Sequence, residues 1–274
     1  MFNVKLNNGK EMPIVGLGTF RSKPDDAYNA VKTALKNGYT HIDTAAIYRN
    51  EEAVGKAIFD SKLNREDLFI TTKVWNTDQG YRNTIKAFNE SLKKLNLDYV
   101  DLYLIHWFKG YELALDTYKA LEYLYKQGKI KAIGVSNYNI HHLQYLLEHA
   151  EIKPMVNQVE THVYLQNHPL QEFCIKNGIQ LEAYAPLMSS NIQDLLENET
   201  MKKIAKKHKK SVAQIAIKWL TERNIVVIPK SVTTSRIIQN IDIFNFSLDD
   251  DDMQEIRKLN QGRKFFPEFD NIDF

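Results

Sequence analysis

Asp43, Tyr48, Lys73 and His106 are the side chains whose types and positions could act together on one reacting group. Asp43 closes the short run His41-Ile42-Asp43, and Tyr48 follows in the next loop. Lys73 sits inside the apolar stretch Phe69–Trp75, and His106 ends the run Tyr99–His106. A lysine among apolar residues needs a counter-charge, because an isolated buried charge is expensive. Asp43, one run earlier, is the obvious partner. A tyrosine can give a proton to an oxygen that is gaining negative charge, but its ordinary pKa of about 10 calls for help near neutral pH. A Lys73 cation nearby favours the phenolate and is expected to lower the pKa of Tyr48. His106 can hydrogen-bond the same oxygen and orient a carbonyl. Hydride addition to a carbonyl carbon leaves charge on that oxygen, so the set fits carbonyl reduction. Taken singly, each residue has an ordinary explanation: Tyr48 as loop packing, His106 beside Trp107 as a satisfied core histidine, Lys73 with Asp43 as a structural ion pair. Their joint placement carries the functional reading.

For these groups to meet, the chain must bring the ends of three successive runs to one rim. Residues Phe2 to Pro13 predict a hairpin turning at Asn8-Gly9. Short apolar runs then alternate with amphipathic ones. The runs are Ile14–Leu17, His41–Asp43, Leu68–Val74, Tyr99–His106, Ile130–Val135, Met155–Val159, Ile179–Ala185 and Ile225–Ile228. After each comes a helical pattern, such as Ala27, Ala30, Val31, Ala34 and Leu35 behind Pro24, Asp25 and Asp26. Strand-then-helix alternation predicts a parallel sheet, and eight units predict closure. The expected fold is therefore α/β: a (β/α)8 TIM barrel with an N-terminal β-hairpin, as a single domain over residues 1–274. A doubly wound open sheet is the rival; even spacing without a composition break favours the barrel. In such barrels active sites lie at the C-terminal strand ends, where all four residues fall.

Composition narrows the function classes. The 36 basic and 34 acidic side chains leave a net charge of +2, which gives no support to a nucleic-acid partner. Six lysines crowd residues 202–210, and a solvated helix face explains them better than a nucleic-acid patch. Asp249–Asp252 after Ser247 fits the acidic first turn of a capped helix; no His or Cys adjoins it to suggest a metal. One cysteine, Cys174, excludes an intrachain disulfide and zinc sites built on several thiolates. No apolar run approaches the ~20 residues of a membrane span, and no signal-peptide pattern opens the chain, so a cytoplasmic protein is expected. Only 11 glycines are present. Gly16 and Gly18 begin a G-x-G, but Arg21 stands where the dinucleotide fingerprint needs its third glycine. A dinucleotide would need side-chain ligands, and Lys230 and Arg236 follow the last strand, where barrels often bind phosphate.

The stretch Gly38-Tyr39-Thr40-His41-Ile42-Asp43-Thr44-Ala45-Ala46-Ile47-Tyr48, with Asn50-Glu51 and Val54-Gly55, resembles the first signature of the aldo-keto reductases. The likeness runs through Gly16-Leu17-Gly18-Thr19, Lys73-Val74-Trp75, Leu104-Ile105-His106-Trp107, Gly134-Val135-Ser136-Asn137, Asn157-Gln158 and Ile228-Pro229-Lys230-Ser231. Within that family the chain is most similar to short bacterial reductases of glyoxal and methylglyoxal. The resemblance implies a catalytic tetrad of Asp43, Tyr48, Lys73 and His106, with Tyr48 the proton donor, and NADPH as cofactor. It implies that Ser136, Asn137 and Gln158 hold the carboxamide and Tyr184 stacks on the nicotinamide. Lys230, Ser231, Thr233 and Arg236 are implied at the 2′-phosphate, Gln239 and Asn240 near the adenine, and Thr19 and Leu187 elsewhere along the cofactor. Phe20, Ile47, Trp75 and Trp107, with His106, match substrate-wall positions. The expected partner is a small carbonyl compound, with no nucleic acid, membrane or metal, for a monomeric protein. Phe108, Val163, Ala185 and the tail from Arg263 to Phe274 depart from the family pattern. The Phe108 loop and the tail are where substrate preference is expected to differ. The alternative function is an NADPH-binding sensor or partner-binding subunit, which has no need of Lys73 and His106 beside Tyr48. A barrel hydrolase would need a metal cluster or paired carboxylates, and the sequence pattern displays neither.

Overall fold

The computed structural model describes residues 2–266. Two short strands, β1 (Asn3–Lys5) and β2 (Glu11–Pro13), form the antiparallel hairpin. Gly9 turns it with a φ of 83°, a conformation open to glycine without a Cβ penalty. Eight parallel strands follow: β3 (Leu17–Gly18), β4 (His41–Asp43), β5 (Phe69–Val74), β6 (Val100–Ile105), β7 (Ile130–Ser136), β8 (Val156–Glu160), β9 (Gln180–Tyr184) and β10 (Val226–Val227). Each pairs with the next in chain order. Val15 and Gly18 bridge in parallel to Val227 and Lys230, joining the first strand to the last and closing the barrel. The fold is the expected (β/α)8 barrel with its hairpin.

The helices are α1 (Pro24–Lys36), α2 (Glu51–Ser61), α3 (Tyr81–Leu95), α4 (Tyr111–Lys126), α5 (Ile140–His149), α6 (His168–Asn177), α7 (Ile192–Leu196), α8 (Glu199–His208), α9 (Val212–Glu222), α10 (Thr234–Ile241) and α11 (Asp250–Arg257). In α1 the residues at helical spacing, Ala27, Ala30, Val31, Ala34 and Leu35, are the buried ones, so one stripe packs on the barrel. The single helix expected after β9 is preceded by two more, α7 and α8. Most of the lysine run lies on α8, whose buried face is Met201, Ile204 and Ala205. Lys207 pairs with Asp249 and Asp252, and Lys210 with Asp242, so the run is a partly paired, solvated face. The cap of α11 is Asp249 rather than Ser247: its side chain accepts from Asp252 N, and Asp252 accepts in return from Asp249 N at 3.2 Å. A histidine does reach this acidic turn, because His208 of α8 lies 2.6 Å from Asp252. Lys207 already balances the same carboxylates, and no metal cluster occurs among the described residues.

Alternation along the strands decides what enters the barrel. Side chains two apart share a face. His41 and Asp43 therefore point one way on β4, Thr71 and Lys73 on β5, Gln158 and Glu160 on β8, and Glu182 and Tyr184 on β9. Gln158 bonds Asp43 although β8 and β4 are not neighbours, so that shared face is the barrel interior. By register Leu102, Leu104 and Ala132 share that face as apolar levels, and the C-terminal end of the interior is polar and buried.

Candidate active site

Lys73 has no exposed surface. Its Nζ donates to Asp43 Oδ1 at 2.6 Å, Asp43 Oδ2 at 2.8 Å and the carbonyl of Thr44 at 3.0 Å. An ammonium has three donors, and all three are used. Burial works against the Lys73 charge, but Asp43 and Tyr48 outweigh it and hold the ammonium above its ordinary pKa. Asp43 is positioned by strand register, three residues before the turn of 3₁₀ helix at Ala46–Tyr48 that presents Tyr48.

Tyr48 stands over this pair, with Lys73 Nζ 5.3 Å from its ring centre. Burial pushes its phenol up to about 12; Lys73 pulls it back, while Asp43 and Glu182 add to the rise. The expected net lowering is not met. Lys73 acts in the expected direction, but lost hydration and the two carboxyl groups outweigh one cation. Tyr48 is therefore a neutral acid that keeps its proton near neutral pH. Burial, and secondarily Lys73, holds His106 well below its ordinary value, so its imidazole is neutral. Its Nδ1 is sealed without a hydrogen-bond partner, leaving Nε2 as the nitrogen that can meet a ligand.

Aromatic rings wall the same rim. Tyr48 lies 5.6 Å from His106 and 5.1 Å from Phe20, and Trp75 is 5.1 Å from His106. Trp107 stacks on His106 at 5.9 Å, and Ile47 adjoins Tyr48 in the 3₁₀ turn. Phe108 behaves otherwise. Its ring stacks on His142 at 3.7 Å and meets Tyr111 and Tyr138, so it packs among α4 and α5 rather than with the rim aromatics. The tail does reach the rim: Phe266 lies 5.8 Å from Tyr184 and 6.4 Å from Phe20. Glu160 anchors it by accepting from the backbone N–H groups of Phe265 at 2.8 Å and Phe266 at 3.3 Å. Residues 267–274 of the expected specificity tail lie outside the described residues.

The residues matched to the carboxamide sit together beside the tetrad. Ser136 Oγ and Asn137 N both donate to the Gln158 carbonyl at 2.9 Å. Asn137 Nδ2 donates to the carbonyl of His106 at 3.0 Å, and Tyr184 Oη donates to Asn137 Oδ1 at 2.9 Å. Thr19 is buried against the Asp43 carbonyl at 3.0 Å. The residues matched to the 2′-phosphate lie on the segment joined to Gly18 by the barrel-closing bridge. Lys230 and Arg236 are exposed, and neither pairs with a carboxylate among the described residues. Thr233 caps α10 without using its side chain, and Ser231 Oγ accepts from Thr233 N at 3.1 Å. Gln239 is exposed, Asn240 buried and Leu187 half-buried. Two unpaired cations beside a helix N-terminus suit a phosphate. A polar trio beside a tyrosine ring suits a carboxamide on an aromatic ring. The residues present therefore fit a phosphorylated nicotinamide dinucleotide.

One member of the site was missed. Glu182, fully buried on β9, accepts from Gln158 Nε2 at 2.8 Å, and that same nitrogen donates to Asp43 at 2.9 Å. The sequence pattern displays no paired carboxylates, yet the barrel brings these two onto one amide. The signal was available: Glu182 lies between Leu181 and Ala183, the same charged-within-apolar pattern that singled out Lys73. Across the lumen its Oε1 lies 3.6 Å from Nε2 of His41, whose ring packs where a Cβ on Gly16 would come within 2.6 Å of it. Burial, then Asp43, pushes Glu182 up to about 8. A carboxyl raised on folding gives stability that is whole below about 4.5 and is lost as pH rises toward 8. Glu182→Gln, which cannot ionise, is expected to melt with wild type at pH ~4 and roughly 4–8 °C above it at pH ~8.5. Thermal melts across that range check this; a constant difference contradicts it.

A sequence profile of the Aldo/keto reductase family matches residues 14–261. Glyoxal reductase of Bacillus subtilis (strain 168) is 54% identical over 99% of this chain and 97% of its own length. The crystal structure of MGS-M4, an aldo-keto reductase from a Medee basin deep-sea metagenome library, superposes with a TM-score of 0.98 at 69% identity, covering 99% of this chain and 100% of that one. A Bombyx mori aldo-keto reductase in complex with NADP superposes with a TM-score of 0.89 at 36% identity, covering 96% and 94%. With the match spanning nearly every residue, the chain belongs to the aldo/keto reductase family.

Proposed function

We propose that this protein is an NADPH-dependent reductase of small aldehydes, ketones and reactive dicarbonyls of the glyoxal and methylglyoxal type, with Tyr48 as proton donor. The observation that carries the reading is the Lys73–Asp43 ion pair set beneath a protonated Tyr48 and beside a neutral His106. The full-length relative named a glyoxal reductase and the silkworm relative crystallised with NADP support the substrate class and the cofactor.

NADPH, when bound, supplies the hydride. The chain's own residues do the rest. Nε2–H of the neutral His106 donates to the carbonyl oxygen and orients it. As negative charge gathers there, Tyr48 delivers its phenolic proton. Lys73 stays an ammonium and steadies the phenolate left behind, and Asp43 keeps Lys73 charged and in place. Phe20, Trp75 and Trp107 exclude water and leave room for small, varied carbonyls. Ser136, Asn137 and Gln158 would hold the carboxamide, with Tyr184 against the ring. Lys230, Ser231, Thr233 and Arg236 would hold the 2′-phosphate.

A panel of aldehydes, ketones and sugars, assayed with NADPH and with NADH, tests the reading. Turnover of short dicarbonyls with preference for NADPH is expected; a protein inert across the panel contradicts it. In the same assay Arg236→Ala should raise the KM for NADPH about tenfold, as loss of a charge-assisted contact to phosphate does, with little change for NADH. Equal weakening of both cofactors would remove Arg236 from the phosphate site.

A further inference from the structure

Glu182 has no task in the mechanism above, yet it is built into the barrel with care. An amide nitrogen carries two N–H donors. Gln158 uses its nitrogen on Glu182 Oε2 at 2.8 Å and Asp43 Oδ2 at 2.9 Å. Its Oε1 accepts no bond among the described residues and is not sealed from the cleft. Turning the amide over would set that oxygen against Asp43, an ion-paired carboxylate with no proton to give. The backbone carbonyl of Gln158 meanwhile receives Ser136 Oγ and Asn137 N, so one residue ties the whole carboxamide trio together.

We propose that Glu182 is a positioning residue for the nicotinamide end of the cofactor: together with Asp43 it occupies both N–H groups of Gln158 and so locks that amide with Oε1 facing the cleft, as the acceptor for the carboxamide. The inference rests on the NADPH reading above. With Glu182 gone, one buried N–H of Gln158 lacks an acceptor, and the amide tilts to find another. Asp43 alone then holds it at one point, and the carboxamide acceptor is no longer fixed. The effect must be local, because Lys230 and Arg236 at the far end of the cofactor make no contact with this network among the described residues.

Equilibrium binding separates this role from a general structural one. Dissociation constants are measured by calorimetry for NADPH and for 2′-phospho-ADP-ribose, which has the phosphates but no nicotinamide. Glu182→Leu should weaken NADPH about tenfold, as loss of one buried hydrogen bond does, and leave the fragment within about twofold of wild type. Glu182→Gln keeps an acceptor for Gln158 and should restore NADPH binding. Unchanged NADPH binding in Glu182→Leu overturns the inference. So does equal weakening of both ligands, or a Gln variant as weak as the Leu variant. Should Glu182→Leu fail to fold, Glu182→Met, which adapts its shape to irregular core space, answers the same question. Wild-type protein that fails to bind NADPH would overturn the function reading itself, whereas wild-type binding with an unaffected Leu variant overturns only the role of Glu182.

Discussion

Tyr48→Phe is expected to lower kcat for methylglyoxal by about 10²–10⁴-fold, the usual worth of a positioned general acid. The ring remains to pack against Phe20 and His106, so the walls of the site survive the change. What goes is the single hydroxyl whose proton is held in place up to about 12. The dissociation constant for NADPH should stay near wild type, because none of the residues assigned to the carboxamide or the phosphates takes a hydrogen bond from Tyr48 among the described residues. Steady-state kinetics with a separate binding titration checks both halves. A variant that keeps wild-type kcat removes Tyr48 from the mechanism.

Lys73→Met tests the ion pair beneath it. Methionine fills a similar volume, so packing is largely kept. The loss is electrostatic: Asp43 would remain buried with Gln158 as its hydrogen-bond donor and no cation. Breaking a buried pair on one side costs about 3–5 kcal/mol. Urea unfolding should show a loss of that size, and kcat should fall with it because the tyrosinate has no cation beside it. Adding Asp43→Asn removes the stranded charge. The double variant should therefore regain much of the stability and none of the activity. Strict additivity of the two changes in unfolding free energy would show that the residues do not interact.

How far the sequence was legible differs residue by residue. Lys73 stood out because a cation inside a β-branched, apolar strand has few explanations, and the strand indeed buries it fully. Asp43 followed from strand adjacency, which alternation and parallel pairing make local. Glu182 obeyed the same rule but its partners did not: Gln158 is one strand away and Asp43 lies across the lumen, a contact that only closure creates. The sign of the Tyr48 shift was unreadable for a related reason. A cation and a desolvating environment oppose each other, and how much water the phenol loses depends on rings drawn in from several loops. Phe108, a visible departure from the family pattern, turned out to serve α4–α5 packing. The tail's approach to Phe20 and Tyr184 depends on Glu160 accepting two backbone N–H groups more than a hundred residues later, which no local pattern announces.

In the proposed reaction hydride passes from the cofactor to a carbonyl carbon in this site while Tyr48 supplies the proton. Single-turnover reduction of methylglyoxal with NADPH deuterated at the transferring position of C4 tests it most directly. One deuterium is expected on the carbon bearing the new hydroxyl, in amount equal to the NADPH consumed, with turnover lost in Tyr48→Phe. Consumption of NADPH without deuterium in the product, or deuterium transfer undiminished in Tyr48→Phe, would contradict it.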